Sequence, residues 1–354
     1  MVSKITAVGR KLVKKVRRRI DTLRSLHRTL DVDELERNVV NALYIETATS
    51  LGLEHRFRGR VLVISKEGRE VFRMSGLETQ FDNYATGALC GDKTACRELL
   101  AEAGLRIPRG KTFPAESVRE GVSYGFALGV CVTKPARDTA SGTGVSIGLQ
   151  SAARIKGGFE RAALYCDEVL IEEFIPGENY RFLVYKGKCV SAVKRCLPLV
   201  IGNGRDTVAA LIEGENKGRL TSSQWRFGDP VLMPLPLGAR LKRTLKGLGL
   251  DLNSVPAAGR EVPLAELSNY QFGASYEEVL DAAHPTVTAA AEKSAAAAGV
   301  ALAGVDIISA DIAGPDYRIN EINTTPSIAL HYFPRDARRR RDPIRMILSD
   351  AAGA

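Results

Sequence analysis

The sequence predicts an α+β protein built in more than one lobe, and three observations predict it. Strand patterns come as hairpin neighbours. RGRVLVISKEGREVFRMSG alternates about a turn at residues 66–69, VLIEEFIPGENYRFLVYKGKCVSAVKR holds three strands in succession, and GVDIISADI with YRINEIN reads as a final antiparallel pair. Helical patterns stand apart from them, at residues 33–51, in DKTACRELLAEAG, and at 152–164 and 286–298. A chain of 354 residues with 45% hydrophobic content can bury a large core, and this length suggests about two or three domains or lobes.

Composition excludes several classes. No run of about 18 apolar residues is free of charge, and the basic start of the chain lacks an apolar h-region. Neither a membrane span nor a secretory signal is supported, and a cytoplasmic location is expected. The six cysteines (Cys90, Cys96, Cys131, Cys166, Cys189 and Cys196) form no CxxC pair, so buried free thiols are expected in place of a disulfide framework or zinc site. Four scattered histidines speak against a His-rich metal site. The net charge of +9 is local: residues 1–30 hold ten Lys or Arg against the single acid Asp21, and the remainder balances at 40 against 40. The high pI therefore describes one arm and says nothing about the main body.

That arm, KLVKKVRRRIDTLRSLHRTL, spaces Leu12, Val16, Ile20, Leu23, Leu26 and Leu30 by three or four, an apolar stripe on a basic helix. It could dock on its own body or a dimer mate, contact RNA or an acidic peptide, or lie on an anionic membrane surface. No aromatic residue interleaves its charges, which weakens the case for single-stranded nucleic acid. The next helix carries Leu35, Val39, Leu43 and Ala48 and closes at Gly52. After Gly91 comes a helix with Cys96, Leu99, Leu100 and Ala103 on one face, capped by Gly104 and followed by Pro108. The segment from LPLVIGNGRDTVAALIE to about Gly259 turns polar, Arg-rich and Gly-rich, with little pattern.

Chemistry concentrates at three places. The first is residues 169–195: a short strand running into Glu172 and Glu173, a turn at Pro176 and Gly177, and two strands joined at Lys186 and Gly187. A strand that ends in carboxylates and turns back at once suits the rim of a cleft for a purine and ribose. The second is YGFALGVCVTKPARDTASGTGVSIGL, an apolar strand ending at Lys134, then Pro135 and a loop with Gly142, Gly144 and Gly148. Such a loop exposes backbone amides that can close over a polyphosphate, with Lys134 and the earlier Lys93 neutralising its oxygens. The motif is neither a P-loop nor a dinucleotide fingerprint. The same loop spells GxSxG around Ser146, so a serine hydrolase with His284 or His331 as base is a rival; the elbow, however, needs a strand directly before the serine and a helix directly after it. The last place is the final strand pair. Asp306 sits in an apolar run, where a carboxylate needs a cation or hydrogen bonds, and Glu321 and Asn323, two apart, share a strand face. Oxygen ligands of this kind suit Mg2+, against the plain alternative of solvated carboxylates on an edge strand.

Taken in order, Asp92–Lys93, 134–145, 172–181, Arg195 with VIGNGRDTVAALI, Asn269, His284-Pro285, AGVDIISADI and NEINTTP resemble the ATP-grasp superfamily of carboxylate-amine ligases. The nearer likeness is to the ATP-grasp part of cyanophycin synthetase and of bifunctional glutathione synthetases. It spans about residues 35–350 and leaves the basic arm outside. The resemblance implies an ATP-grasp fold, two α+β lobes clamping the nucleotide, divided as an arm (1–30), a small N-terminal region (31–90), a small lobe with the glycine-rich loop (91–171) and a C-terminal lobe (172–354). It also implies ATP and Mg2+, with Mn2+ as a substitute. Lys93, Lys134, Ser141, Gly142, Gly144 and Val145 would hold phosphates. Glu172, Glu173, Phe174 and Ile175 would read adenine. Glu178 or Asn179 would take the ribose, where the family usually has an acid. Asp306, Glu321 and Asn323 would bind metal, and Arg181 and Arg195 would steer an acyl phosphate. Arg219, Asn269 and His331 would contact substrate. The implied reaction joins an amino-acid or peptide carboxylate to an amine through an acyl phosphate, in a homodimer. A peptide-modifying enzyme, or one using an RNA-carried substrate, is the alternative; polymer synthesis is not implied, because the other cyanophycin domains are missing.

Overall fold

The computed structural model describes residues 32–139, 142–217, 219, 234, 235, 237–265, 268 and 273–353. The basic arm, Ser141 and Asn269 lie outside them. Two compact units emerge: one is Ala88–Pro176, and the other combines Val32–Gly87 with Gly177–Ala354. Residues 32–87 thus cluster with the C-terminal part of the chain.

The first unit is an antiparallel sheet of four strands, β5 (Gly110–Pro114), β6 (Cys131–Pro135), β7 (Ser146–Leu149) and β8 (Glu168–Glu173), in the order β5-β8-β6-β7. Alternation along VLIEE sorts its two faces. Val169 and Ile171 join Phe113, Cys131, Leu149, Ile155, Phe159 and Ala162 in one buried cluster, roofed by helices α4 (Val118–Ala127) and α5 (Ala152–Ala163). Leu170 and Glu172 point the other way. There helix α3 (Lys93–Glu102) ties to the sheet through Thr94 Oγ1, 2.7 Å from Thr112 Oγ1. Asp92 starts α3 as expected of a cap, its carboxylate accepting from the Thr94 and Ala95 amides at 2.9 and 3.1 Å.

In the second unit, helix α1 (Val32–Ser50) packs on a meander of β1 (Glu54–Arg58), β2 (Val61–Lys66), β3 (Arg69–Ser75) and β4 (Glu78–Thr79). Tyr44 stacks on Phe72 with centroids 5.0 Å apart. The predicted turn at 66–69 is present, with Glu67 and Gly68 both at positive φ. The larger sheet runs β13-β10-β9-β14-β15, from β13 (Ser275–Glu278), β10 (Lys188–Cys196), β9 (Glu178–Tyr185), β14 (Leu302–Ser309) and β15 (Arg318–Asn323), all antiparallel. Helix α8 (Pro285–Ala297) packs against β9, β10 and β14. His284 caps it, its Nδ1 accepting the Thr286 amide at 3.2 Å, which gives the His-Pro pair a structural role.

One irregularity decides what β15 shows. Asp306 pairs with Glu321, but Ile307 pairs with Ile319, so one extra residue, Asn320, bulges from the ladder. Strict alternation would put Ile319 beside Glu321. The bulge lets Ile319 and Ile322 both go inward, at 1% and 4% exposure, and frees the opposite face for polar groups. The cysteines are free thiols, four of them buried, as composition suggested. Among the described residues no helix is long and apolar enough to cross a membrane.

Candidate functional site

In the first unit three of the expected nucleotide residues, Lys93, Lys134 and Glu172, lie on the α3 side of the sheet. Lys134 and Glu172 project from β6 and β8 on the same face, and their Nζ and Oε2 lie 2.5 Å apart. Arg97 of α3 takes the other Glu172 oxygen through Nη1 and the Pro108 carbonyl through Nη2 at 2.6 Å. Glu172 is 2% exposed. Both of its oxygens are engaged by cations, so in this structure it fixes Lys134; the resemblance had made it an adenine reader. Lys93, at the start of α3, donates its backbone N–H to Ala136 at 2.8 Å and brings Nζ to 3.5 Å from the Thr139 carbonyl. It therefore stands beside the loop that follows Lys134.

In that loop Gly142 and Gly144 take positive φ, and Val145 precedes β7. Ser146 is itself the first residue of a strand, with Arg161 Nη1 donating to its Oγ at 3.2 Å; α5 starts only at Ala152. The strand-serine-helix elbow is absent, and the hydrolase reading loses its support. Along the connection at 173–176, the Glu173 and Phe174 amides are committed to the Arg109 and Val130 carbonyls at 2.8 Å, which leaves Ile175 as the first residue beyond the ladder. The Glu173 carboxylate is held by Arg109, from its backbone N at 2.9 Å and its Nε at 2.6 Å.

In the second unit the polar face of the five-stranded sheet collects the other set. Arg181 and Asp306 sit opposite each other on β9 and β14, and Asp306 faces Glu321 on β15. Arg181 grips both Asp306 oxygens, with Nε on Oδ1 and Nη2 on Oδ2 at 2.9 Å; Arg195 Nη1 adds a third contact at 3.1 Å. Burial by itself would raise the Asp306 carboxyl; the Arg181 and Arg195 charges, with a side-chain hydrogen bond shared with Glu321, hold it well below the usual carboxylate range. Burial would likewise lower Arg181, and the Asp306 charge outweighs it and raises the guanidinium. Asn179 shares this face one step away, opposite both Arg195 and Ile308. Glu178, at the β9 start, lies 3.4 Å from Lys194 Nζ; both Glu178 and Asn179 are exposed.

Mg2+ can be tested against these donors. Asn323 donates Nδ2 to the Gly304 carbonyl at 3.3 Å, which leaves its Oδ1 as the acceptor. Two facing carboxyl groups and an amide oxygen on one sheet face form the all-oxygen set that a hard divalent cation prefers, and the residues fit. Ligation by Asp306 requires Arg195 to release its oxygen. Among the described residues no three His, Cys, Asp or Glu side chains cluster as a metal site, consistent with a set of only two carboxylates and an amide.

The remaining expectations divide. Arg219 is held by the Gly273 carbonyl at 2.9 Å and lies near Glu215 at 3.7 Å; burial lowers its guanidinium. His331 is not a surface contact at all: it is 0% exposed, with Nδ1 2.7 Å from Ser191 Oγ, and burial followed by the Arg181 charge brings its imidazole down to about 3. The sequence reading missed Ser191, Glu278 and Tyr276. Ser191 lies on the Arg195 side of β10, Tyr276 is paired opposite Arg195, and Glu278 is two residues further along β13. Two-residue periodicity back from Arg195 would have found Ser191; β13 sits in a segment with no hydrophobic alternation to announce it.

A lysine-bearing sheet with a glycine loop in one unit, and an arginine and carboxylate face in the other, define a member of the ATP-grasp ligases, and by fold and sequence the chain belongs to that superfamily. It is 29% identical over 308 residues to the glutathione biosynthesis bifunctional protein GshAB of Clostridium perfringens, covering 84% of this chain and 39% of that protein. It is 31% identical over 269 residues to the cyanophycin synthetase of a Nostoc species, covering 74% of this chain and 29% of that one. The crystal structure of a bifunctional glutathione synthetase from Pasteurella multocida superposes with a TM-score of 0.63 at 23% identity, covering 88% of this chain and 43% of that one. The chain thus spans less than two fifths of the length of those curated relatives. No protein-family model matches it.

Proposed function

We propose that the chain is an ATP-dependent carboxylate-amine ligase that forms an amide bond through an acyl phosphate, on amino-acid or small-peptide substrates. The observation that carries this reading is the sheet face of Arg181, Arg195, Asp306, Glu321 and Asn323, which combines fixed cations with oxygen donors as phosphoryl transfer to a carboxylate requires. Lys93 and Lys134 are the candidate phosphate cations, the latter aimed by Glu172. Asp306, Glu321 and Asn323 would hold Mg2+, which when bound neutralises phosphate charge. Arg181 and Arg195, already desolvated and fixed by Asp306, would stabilise negative charge on the transferring group without reorganising. Ribose contact falls to the exposed pair Glu178 and Asn179. No side chain needs to act as a nucleophile.

Hydroxylamine tests the reading directly, because it intercepts an acyl phosphate as a hydroxamate. Candidate amino acids are supplied with ATP, Mg2+ and hydroxylamine, and hydroxamate and ADP are measured together. Wild type is expected to form both in equal amounts with at least one acid, and Lys134→Ala and Glu321→Ala neither, with their folds intact. ADP without hydroxamate, or turnover unchanged in either variant, would overturn the assignment.

A further inference from the structure

Glu172 stands between two cations, and only one of them is a candidate for the nucleotide. Its Oε2 lies 2.5 Å from Lys134 Nζ, and its Oε1 accepts from Arg97 Nη1. Arg97 is also anchored apart from that contact, since its Nη2 donates to the Pro108 carbonyl at 2.6 Å. The neighbouring strand makes room for the guanidinium. Gly110 pairs with Glu172 across β5 and β8, and a Cβ added there would meet Glu172 Cγ at 2.7 Å and Arg97 Nη2 at 3.1 Å. Side-chain exposure rises from 3% at Glu172 to 7% at Lys134 and 11% at Arg97, so the carboxylate is the innermost of the three.

Lys134 and Glu172 by themselves sum to no charge. A phosphate oxygen arriving at Lys134 Nζ would then meet a neutral pair, with a buried carboxylate of its own sign just behind the ammonium. Drawing Lys134 away would strand that carboxylate, and an uncompensated buried charge is strongly unfavourable. Arg97 changes the balance. One negative charge is now shared by two cations, a positive charge is left over for an anion, and Glu172 keeps a partner when the ammonium turns to a phosphate. The planar guanidinium suits this duty: two of its N–H groups serve Glu172 and Pro108 at once, a hold that an ammonium, as a point charge, cannot reproduce.

We propose that Arg97 is a positioning residue for nucleotide binding: it holds Glu172 so that Lys134 is released to the triphosphate. The inference rests on the ligase reading for the role of Lys134. Arg97 itself touches no nucleotide and acts through the carboxylate, so its removal should be felt by a phosphate-bearing ligand and reversed by removing the carboxylate charge as well.

The test is a double-mutant cycle on the full chain, read as Kd for a non-hydrolysable ATP analogue with Mg2+ and for adenosine, which carries no phosphate. Arg97→Met should raise Kd for the analogue about tenfold and leave Kd for adenosine within about twofold. Arg97→Lys keeps the charge and should recover most of that loss. Glu172→Gln, which removes the competing anion, should bind the analogue at least as tightly as wild type, and in the Arg97→Met background should bring Kd back to within about threefold of wild type. Circular dichroism and the thermal midpoint show whether each variant folds; should Arg97→Met fail, Arg97→Gln, which loses the charge and keeps a donor for Pro108, takes its place in the cycle. A merely structural role would give a loss that deepens in the double variant and falls on adenosine too. Loss of affinity in Glu172→Gln, additive effects in the cycle, or equal losses for both ligands overturns the inference. Wild type that binds neither ligand removes the ligase reading and Arg97's role with it, whereas an analogue bound by wild type and lost in Lys134→Ala keeps that reading whatever Arg97 shows.

Discussion

Replacing Asp306 by asparagine removes one negative charge and almost no volume, and the structure sets the size of the effect. Asp306 makes three contacts with Arg181 and Arg195, whose side chains are 8% and 19% exposed. Breaking a buried pair by deleting one partner leaves an uncompensated cation and costs about 3–5 kcal/mol. Here Glu321 also raises Arg181 electrostatically, so Arg181 keeps one acidic neighbour and the lower end, about 3 kcal/mol, is expected. Urea unfolding should show the midpoint fall at unchanged slope. The pH dependence gives a second reading of the same contact. Because the folded carboxyl is held below its unfolded value, its contribution is complete above about pH 4 and drains away as pH falls below that, so Asp306→Asn should lose least against wild type in acid. A double replacement, Arg181→Leu with Asp306→Leu, should cost less than the sum of the single changes, since the buried pair leaves together and only Arg195, 19% exposed, loses a contact. A cost below about 1 kcal/mol for Asp306→Asn, or strict additivity in the cycle, would refute the buried triad.

Three further outcomes follow from the same geometry. Glu172→Ala strands Lys134 and Arg97 with no carboxylate between them and should destabilise the first unit by about 3 kcal/mol, read as a lowered thermal midpoint; a change under about 0.5 kcal/mol would show that the pair is not buried as described. Gly177→Ala should cost about 1–3 kcal/mol by chemical denaturation, because Gly177 has φ near 150° and an added Cβ would lie 2.7 Å from the Ser309 carbonyl; a neutral result would mean the backbone there is not so constrained. His331 titrates near 3 when folded and near 6.5 when unfolded, so below about pH 6.5 only the unfolded chain gains its proton and stability falls by about 1.4 kcal/mol per pH unit. His331→Gln should flatten that slope between about pH 6 and 4.5, and an unchanged slope would mean the imidazole is solvated.

Several features could be read from the chain alone because they depend on near neighbours. The Asp92 cap, the hairpin at Glu67 and Gly68, the paired strands carrying Asp306 and Glu321, and the motif order that signals an ATP-grasp chain are all local patterns with local causes. The arginines at 181 and 195 were candidates only through the family resemblance. Even the need of Asp306 for a cation followed from its apolar flanks.

Tertiary structure alone decided which partner each charge received. Nothing in the sequence says that Glu172 is held by Lys134 and Arg97, 38 and 75 positions away, or that Arg181 and Arg195 converge on Asp306 across 125 and 111. Nor does it show the bulge at Asn320, which turns Ile319 inward, or the return of residues 324–331 that buries His331 against Ser191. The reason is physical: spacing along a strand or helix fixes which side a residue faces, whereas the dielectric it meets and the donors it finds depend on segments brought from elsewhere in the chain.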